Sequence, residues 1–350
     1  GGKDSLVVDS HLRDAAPEIY RVALMFGICF GHCLFLGGRE LIVGDVLRET
    51  LVNINHSCVN GFVFITGFYG IRFRPSKLIR LYAVACASGA LVFLLGLHFG
   101  VVAWESGQAG VIQLKNFLVG AWFLNAYAVL MLCAPLVDAA LERLPPRLLR
   151  GVLAPFFLLA FGWSFAIEQP LLDKFLPSTP GLGSFTGLSL LATYVVARLC
   201  RQFDVGRLFT WPRVLTTLIV LMCVTAIGAG EYASPFTVAL AGGCFYIFLR
   251  IPWPTWVGIV ARWLGPSMFA VYLLHTNGVG FPVIAGIQQR LLATGWPFDG
   301  VYTIMSILVF TAAIGLDLPR RAIVWCTQRF WKPALTRLDA AWTRLFPDRE

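Results

Sequence analysis

Apolar runs of helical length recur along this chain near residues 18–38, 54–71, 81–103, 119–140, 151–168, 184–200, 214–232, 235–252, 265–285 and 300–319. About 20 apolar residues suffice for a helix to cross the hydrocarbon core of a bilayer, so ten such runs leave little room for a water-soluble fold. Composition agrees: of 350 residues, 57% are hydrophobic and 13% charged, and the mean hydropathy is +0.73. The sequence predicts an all-α, polytopic integral membrane protein with about ten transmembrane helices. It divides into a leader (1–17), a transmembrane domain (18–319) and a basic amphipathic tail (320–350).

The formal charge of +9 raises the question of nucleic acid, and the placement of the cations answers it. With a cytoplasmic N-terminus, all but Arg39, Arg48, Lys115, Lys174 and Arg290 of the 28 Lys and Arg fall in segments on the inner side. That is the positive-inside bias of a multi-pass protein of the cytoplasmic membrane. It puts both termini in the cytoplasm and gives nucleic acid no basic face to bind. The tail, rich in Trp and Arg, is expected to lie along lipid headgroups at the inner leaflet. The N-terminal stretch, with four acids and no apolar core, does not read as a signal peptide, and the segment 168–184 reads as an irregular outer loop. Nine cysteines are scattered through apolar runs without a repeated CxxC, and are expected as free thiols.

The first run, "YRVALMFGICFGHC" (20–33), carries two ionisable residues. Arg21 and His32 are eleven residues apart, so at about 100° per residue they share one helix face, separated by about 16 Å along the axis. Arg21 would sit at the inner interface and His32 deep in the span. A guanidinium binds phosphate, and a neutral imidazole is a common general base. That layout suits an acyl-coenzyme A whose nucleotide stays with cytoplasmic arginines while its arm carries a thioester towards His32. A blander reading also stands, in which Arg21 is an interfacial anchor and His32 hydrogen-bonds a neighbouring helix. A metal reading of "CFGHC" lacks a second ligand cluster, so no metal is expected.

Three further stretches carry polar groups within apolar surroundings: Asn60 and His56 near the outer end of the second run, Asn125 where the fourth begins, and His275 midway along the ninth. An ionisable or amide side chain at such depth must face protein or a cavity.

The chain resembles the acyltransferase family 3 membrane proteins. Their first span carries Arg-x10-His, matched by Arg21 and His32. Their Phe-rich helix resembles "NGFVFITGFYG" (60–70), and their cytoplasmic Arg-x-x-Arg resembles "KLIR" (77–80). The similarity continues through 122–138, 191–203, 234–251 and 265–278. These stretches are closest to the branch that O-acetylates bacterial surface polysaccharides or their lipid-linked precursors. The resemblance implies acetyl-CoA as acyl donor, a sugar hydroxyl as acceptor and His32 as general base. It also implies donor binding by Arg21, Arg80 and Lys77, and a cavity lined by Asn60, Thr66, Asn125 and His275. Thr66 and Lys77 depart from the family pattern, which has Ser and Arg there, and lysine lacks the bidentate fork. The rival is a transporter of a small solute. Ion-coupled carriers often need a mid-membrane carboxylate, whereas Asp138, Asp317, Glu168 and Glu231 all fall near span ends.

Overall fold

The computed structural model describes residues 15–36, 45–163, 187–208, 210–226 and 234–346. Among these no strand forms; the molecule is built of helices. In chain order they are α1 (Ala15–Leu36), α2 (Asp45–Tyr69), α3 (Pro75–His98), α4 (Gly107–Val119), α5 (Trp122–Arg143) and α6 (Pro146–Phe157). There follow α7 (Gly187–Gln202), α8 (Trp211–Ala226), α9 (Pro235–Arg250), α10 (Thr255–Leu264), α11 (Met268–His275), α12 (Gly280–Ala293) and α13 (Phe298–Leu345). Among the described residues, five segments are long and apolar enough to span a bilayer: α1, α3, α5, α10–α11 taken together, and α13; α8 and α9 are shorter apolar helices. The expected count of about ten is not confirmed by length and composition among the described residues. The leader up to residue 14 and the expected outer loop at 168–184 lie outside the described residues.

Close packing runs through glycines. Where α1 and α2 cross, a Cβ on Gly31 would lie 1.8 Å from the Asn55 amide nitrogen, so only glycine lets the helices meet next to His32. Helix α2 is the hub, packing on α1, α7, α8 and α9. A second assembly joins α1, α3, α11 and α13 through Met25, Ile28, Val92, Val271, Met305 and Phe310. Outward-facing residues such as Leu94, Leu136 and Ile219 are exposed, as expected of surfaces whose solvent is lipid.

An ion pair joins α5 and α7 near the turn after α2. Arg198 of α7 bonds Asp138 of α5 at 2.9 Å, and Tyr194 donates to the same carboxylate at 3.0 Å while its oxygen accepts from Ile71 N–H at 3.1 Å. This network fixes the turn after α2, where Gly70 takes φ +80°.

Three features differ from the sequence expectation. Residues 107–118, which fall between the third and fourth expected runs, form α4 together with Val119, and α4 and α5 descend along α3 one after the other: Phe117 packs on Gly89 and Phe93, and Tyr82 bonds Asn125. The fourth run is thus the lower part of a helix broken at Gly120–Ala121. The run at 265–285 is also divided, α11 ending at His275 and α12 starting at Gly280. Finally, α13 does not stop at 319. It continues through Pro319 and Pro333 to Leu345, so the expected boundary between span and tail at 319/320 falls inside a 48-residue helix. The tail docks on α3: Asp339 accepts from Ser76 N–H (3.0 Å) and Ser76 Oγ (2.6 Å), and Trp342 packs edge-on against Phe73.

Candidate active site

His32 Nδ1 lies 2.9 Å from His275 Nε2, and His275 Nδ1 lies 2.6 Å from the Val271 carbonyl oxygen. A carbonyl only accepts, so His275 Nδ1 carries a proton and donates it. With both rings neutral, His275 Nε2 then accepts and His32 Nδ1 donates. One backbone carbonyl, held by the α11 helix, thereby sets two tautomers in series and leaves the lone pair of His32 on Nε2. His275 is buried, 3% exposed, and Phe281 packs edge-on against His32 at 5.3 Å between ring centres. His56 of α2 is near enough to interact electrostatically with His32. Cys29 Sγ is 3.9 Å from His275 Nδ1, but among the described residues no three His, Cys, Asp or Glu side chains gather as a metal site. All nine cysteines are free.

Below this pair lies a cavity of about 220 Å³. Arg21, Met25 and Ile28 of α1 form one wall, Thr66 of α2 and Trp122 and Tyr127 of α5 another, and Met268 and Tyr272 of α11 a third. Arg21, Met25, Ile28 and His32 recur at the four- and three-residue steps of one helix stripe. The cavity ends at Ile28 and Tyr272, about one turn short of His32 and His275. At its opposite limit Arg21 forms an ion pair with Glu18, and Gly265 closes over the Glu18 carboxylate. Its walls are mostly apolar, suited to an uncharged, extended chain.

Other residues singled out in the sequence are distributed more widely. Thr66 lines the cavity, its Oγ1 donating to the Phe62 carbonyl (2.9 Å) and lying 3.4 Å from the Tyr127 hydroxyl. Asn60 does not line the cavity; it is 1% exposed and joins three helices, donating to Thr237 Oγ1 of α9 (3.1 Å) and accepting from Thr193 of α7 (3.4 Å). The reason is that α2 begins at Asp45, so Asn60 lies about 22 Å into the helix rather than at its outer end. Asn125 is exposed and stitches the α4–α5 break, its amide donating to the Val119 carbonyl (3.0 Å).

Neither Lys77 nor Arg80 reaches Arg21's cavity directly. Lys77 donates to the Arg72 carbonyl at 3.1 Å, and the Arg80 guanidinium lies over the Trp331 ring at 5.3 Å, although the adjacent Leu81 is a lining residue. On the other side of the mouth, Arg321 bonds Ser267 (3.2 Å) and lies over Trp263. Sequence reasoning missed Glu18, the Val271 carbonyl and the aromatic wall. The spacing of Tyr272 three residues before His275 was the one local signal for the last.

A helical membrane protein with paired histidines above an apolar cavity, opened by an arginine, is the class that fold and site define. The chain matches the family model described as an acyltransferase domain, that of acyltransferase family 3, over residues 14–316, and it belongs to that family of membrane acyltransferases. No curated protein and no solved structure matches it.

Proposed function

We propose that this protein transfers an acyl group, in the first instance acetyl, from acyl-coenzyme A to a sugar hydroxyl of a surface polysaccharide or of its lipid-linked precursor. His32 is the general base. What supports this is the orientation of its ring: the hydrogen bond from Nδ1 to His275 leaves Nε2 as a proton acceptor, held one helical turn beyond the end of the cavity. The apolar cavity takes the pantetheine arm and the thioester. Arg21 at the mouth of the cavity holds the phosphates, and Arg80 and Lys77, which lie outside the cavity, meet the nucleotide beyond it by charge-assisted recognition.

In the reaction His32 Nε2 accepts the proton of the acceptor hydroxyl as its oxygen attacks the thioester carbonyl carbon. The tetrahedral intermediate collapses with cleavage of the C–S bond, and the proton on His32 passes to the leaving thiolate. Ester and free thiol are the products, and His32 returns to its starting tautomer. His275 touches no reacting atom in this scheme; it is a positioning residue that keeps the proton of His32 on Nδ1.

The test is transfer of labelled acetyl from acetyl-CoA by the purified protein in lipid nanodiscs, with neutral glycosides as acceptors. The His32→Ala variant should retain the fold and lose transfer; undiminished transfer would remove His32 from the chemistry.

A further inference from the structure

The half-buried ion pair at the mouth of the cavity, Glu18 with Arg21, stands in a socket walled by the end of α10. Glu18 Oε1 takes one nitrogen of the guanidinium, Nη1. Its other oxygen lies against the joint between α10 and α11, where a Cβ on Gly265 would come 2.5 Å from Glu18 Oε2. Gly265 has φ −46° and ψ −45°, helical values open to any residue, so this glycine supplies space and not conformation. It completes a stripe of small residues, Gly258, Ala261 and Gly265, at the three- and four-residue steps of one helix face. The stripe lets α10 lie on the start of α1. A Cβ on Gly258 would meet Ala15 Cβ at 2.8 Å, and Ala261 packs with Ala15 and Ile19.

An acid in the first turn of a helix is favoured by the partial positive charge there, and an exposed pair three residues apart adds little. Neither effect explains why a neighbouring helix gives up a side chain to make room for the carboxylate. What the socket does is hold the guanidinium. An arginine at a water edge swings on its long stem. Glu18, one turn nearer the N-terminus, draws this one towards the mouth and away from His32. Among the described residues Nε and Nη2 of Arg21 bond no group, and Arg21 lines the cavity. The fork therefore keeps an edge for a second anion.

That pinning fixes a distance. Arg21 and His32 stand on one continuous helix, about 16 Å apart along its axis. In an acyl-coenzyme A about thirteen bonds lie between the thioester sulfur and the first phosphorus, and at the roughly 1.2 Å per bond of an extended chain they also cover about 16 Å. We infer that Glu18 is a positioning residue, pinning Arg21 where the phosphate that ends the pantetheine arm arrives when the thioester is at His32. The inference rests on the acyl-transfer reading above and adds to it which phosphate Arg21 takes. The ribose phosphate lies farther out and falls to other groups. Free acyl-phosphopantetheine carries the same arm and terminal phosphate, so Arg21 and Glu18 read the arm and not the nucleotide.

Three acetyl donors test this with nanodisc-embedded protein and neutral methyl glycosides: acetyl-CoA, acetyl-phosphopantetheine, and acetyl-pantetheine, which lacks the phosphate. Glu18→Ala should raise the KM about fivefold for the first two, keep the turnover number within about twofold, and leave the KM for acetyl-pantetheine unchanged. Glu18→Gln, whose amide oxygen still accepts from Nη1, should recover most of the loss. A merely structural role would move all three donors alike, and an acid that competes with the phosphate would lower the KM on removal. Either result, an unchanged KM, or Glu18→Gln no better than Glu18→Ala overturns the assignment.

Gly265→Ala gives a readout with Glu18 intact. Its Cβ displaces the carboxylate, so the KM for acetyl-CoA should rise as in Glu18→Ala, and combining the two changes should cost nothing further. Additive effects would mean that the residues act separately, and would overturn the socket. Titration calorimetry with coenzyme A and phosphopantetheine needs no turnover and separates this inference from the catalytic reading. An affinity about fivefold weaker in Glu18→Ala would stand even if wild type moved no acetyl group. Equal affinities, or no binding to wild type, overturn the inference.

Discussion

Two polar assemblies are buried among these helices, and they differ in what they leave unused. At the junction of α2, α7 and α9, Asn60 bonds both Thr193 and Thr237; the Thr193 hydroxyl shares its one proton between Asn60 and the Ser189 carbonyl, and Thr237 donates to the Ser234 carbonyl. At the junction of α1 and α11, two imidazoles and one carbonyl form a chain that ends in an acceptor nitrogen. The first closes on itself and ties three helices together. The second is built to present a lone pair. Burial of a polar group thus does not separate structural from chemical roles; the end of the hydrogen-bond chain does.

The largest effect that would break this comparison is at His32. His32→Ala should lower the acyl-transfer rate by about 10²–10⁴-fold, the range of a lost general base, with the thermal unfolding midpoint little changed. Next is His275→Ala, which frees His32 to carry its proton on either nitrogen. The turnover number should fall on the order of a hundredfold at an unchanged KM for acetyl-CoA, a positioning loss rather than a binding one. His275→Gln, which offers His32 Nδ1 a carbonyl acceptor again, should recover part of that loss; a structural role alone would not separate the two variants.

Arg21→Ala should act on binding, raising the KM for acetyl-CoA about tenfold, with a smaller change in the turnover number. Added salt should mimic part of that effect, because Arg21 lies at a water-accessible edge. The smallest effect is expected at the closed junction. Asn60→Leu should cost about 0.6–1.7 kcal/mol of stability, the range for interhelical hydrogen bonds in membranes, and leave turnover per folded molecule intact. A large catalytic loss there would erase the distinction between the two assemblies.

The register of Arg21 and His32 was legible in the sequence, because a single helix converts spacing into a shared face without help from the rest of the chain. The partner of His32 was not, since 243 residues separate it from His275 and only packing of α1 on α11 joins them. The break at Gly120–Ala121 was hidden for a different reason: "FLVGAWFLNAY" is continuously apolar, and hydropathy does not register where a helix turns aside. Arg80 was read from a motif as a donor ligand, but its contact with Trp331 depends on α13 running on past Pro319, beyond the expected boundary between span and tail. The aromatic and apolar composition announced the membrane, and the tertiary crossings decided which polar groups met.

The junction between Asp339 and Ser76 has a consequence for how the molecule comes into being. A chain is made from its N-terminus, so the start of the third helix exists long before residue 339 has been synthesised, and its Ser76 amide waits for a carboxylate 263 residues further on. That contact is therefore sealed only after all 263 have been added to the chain.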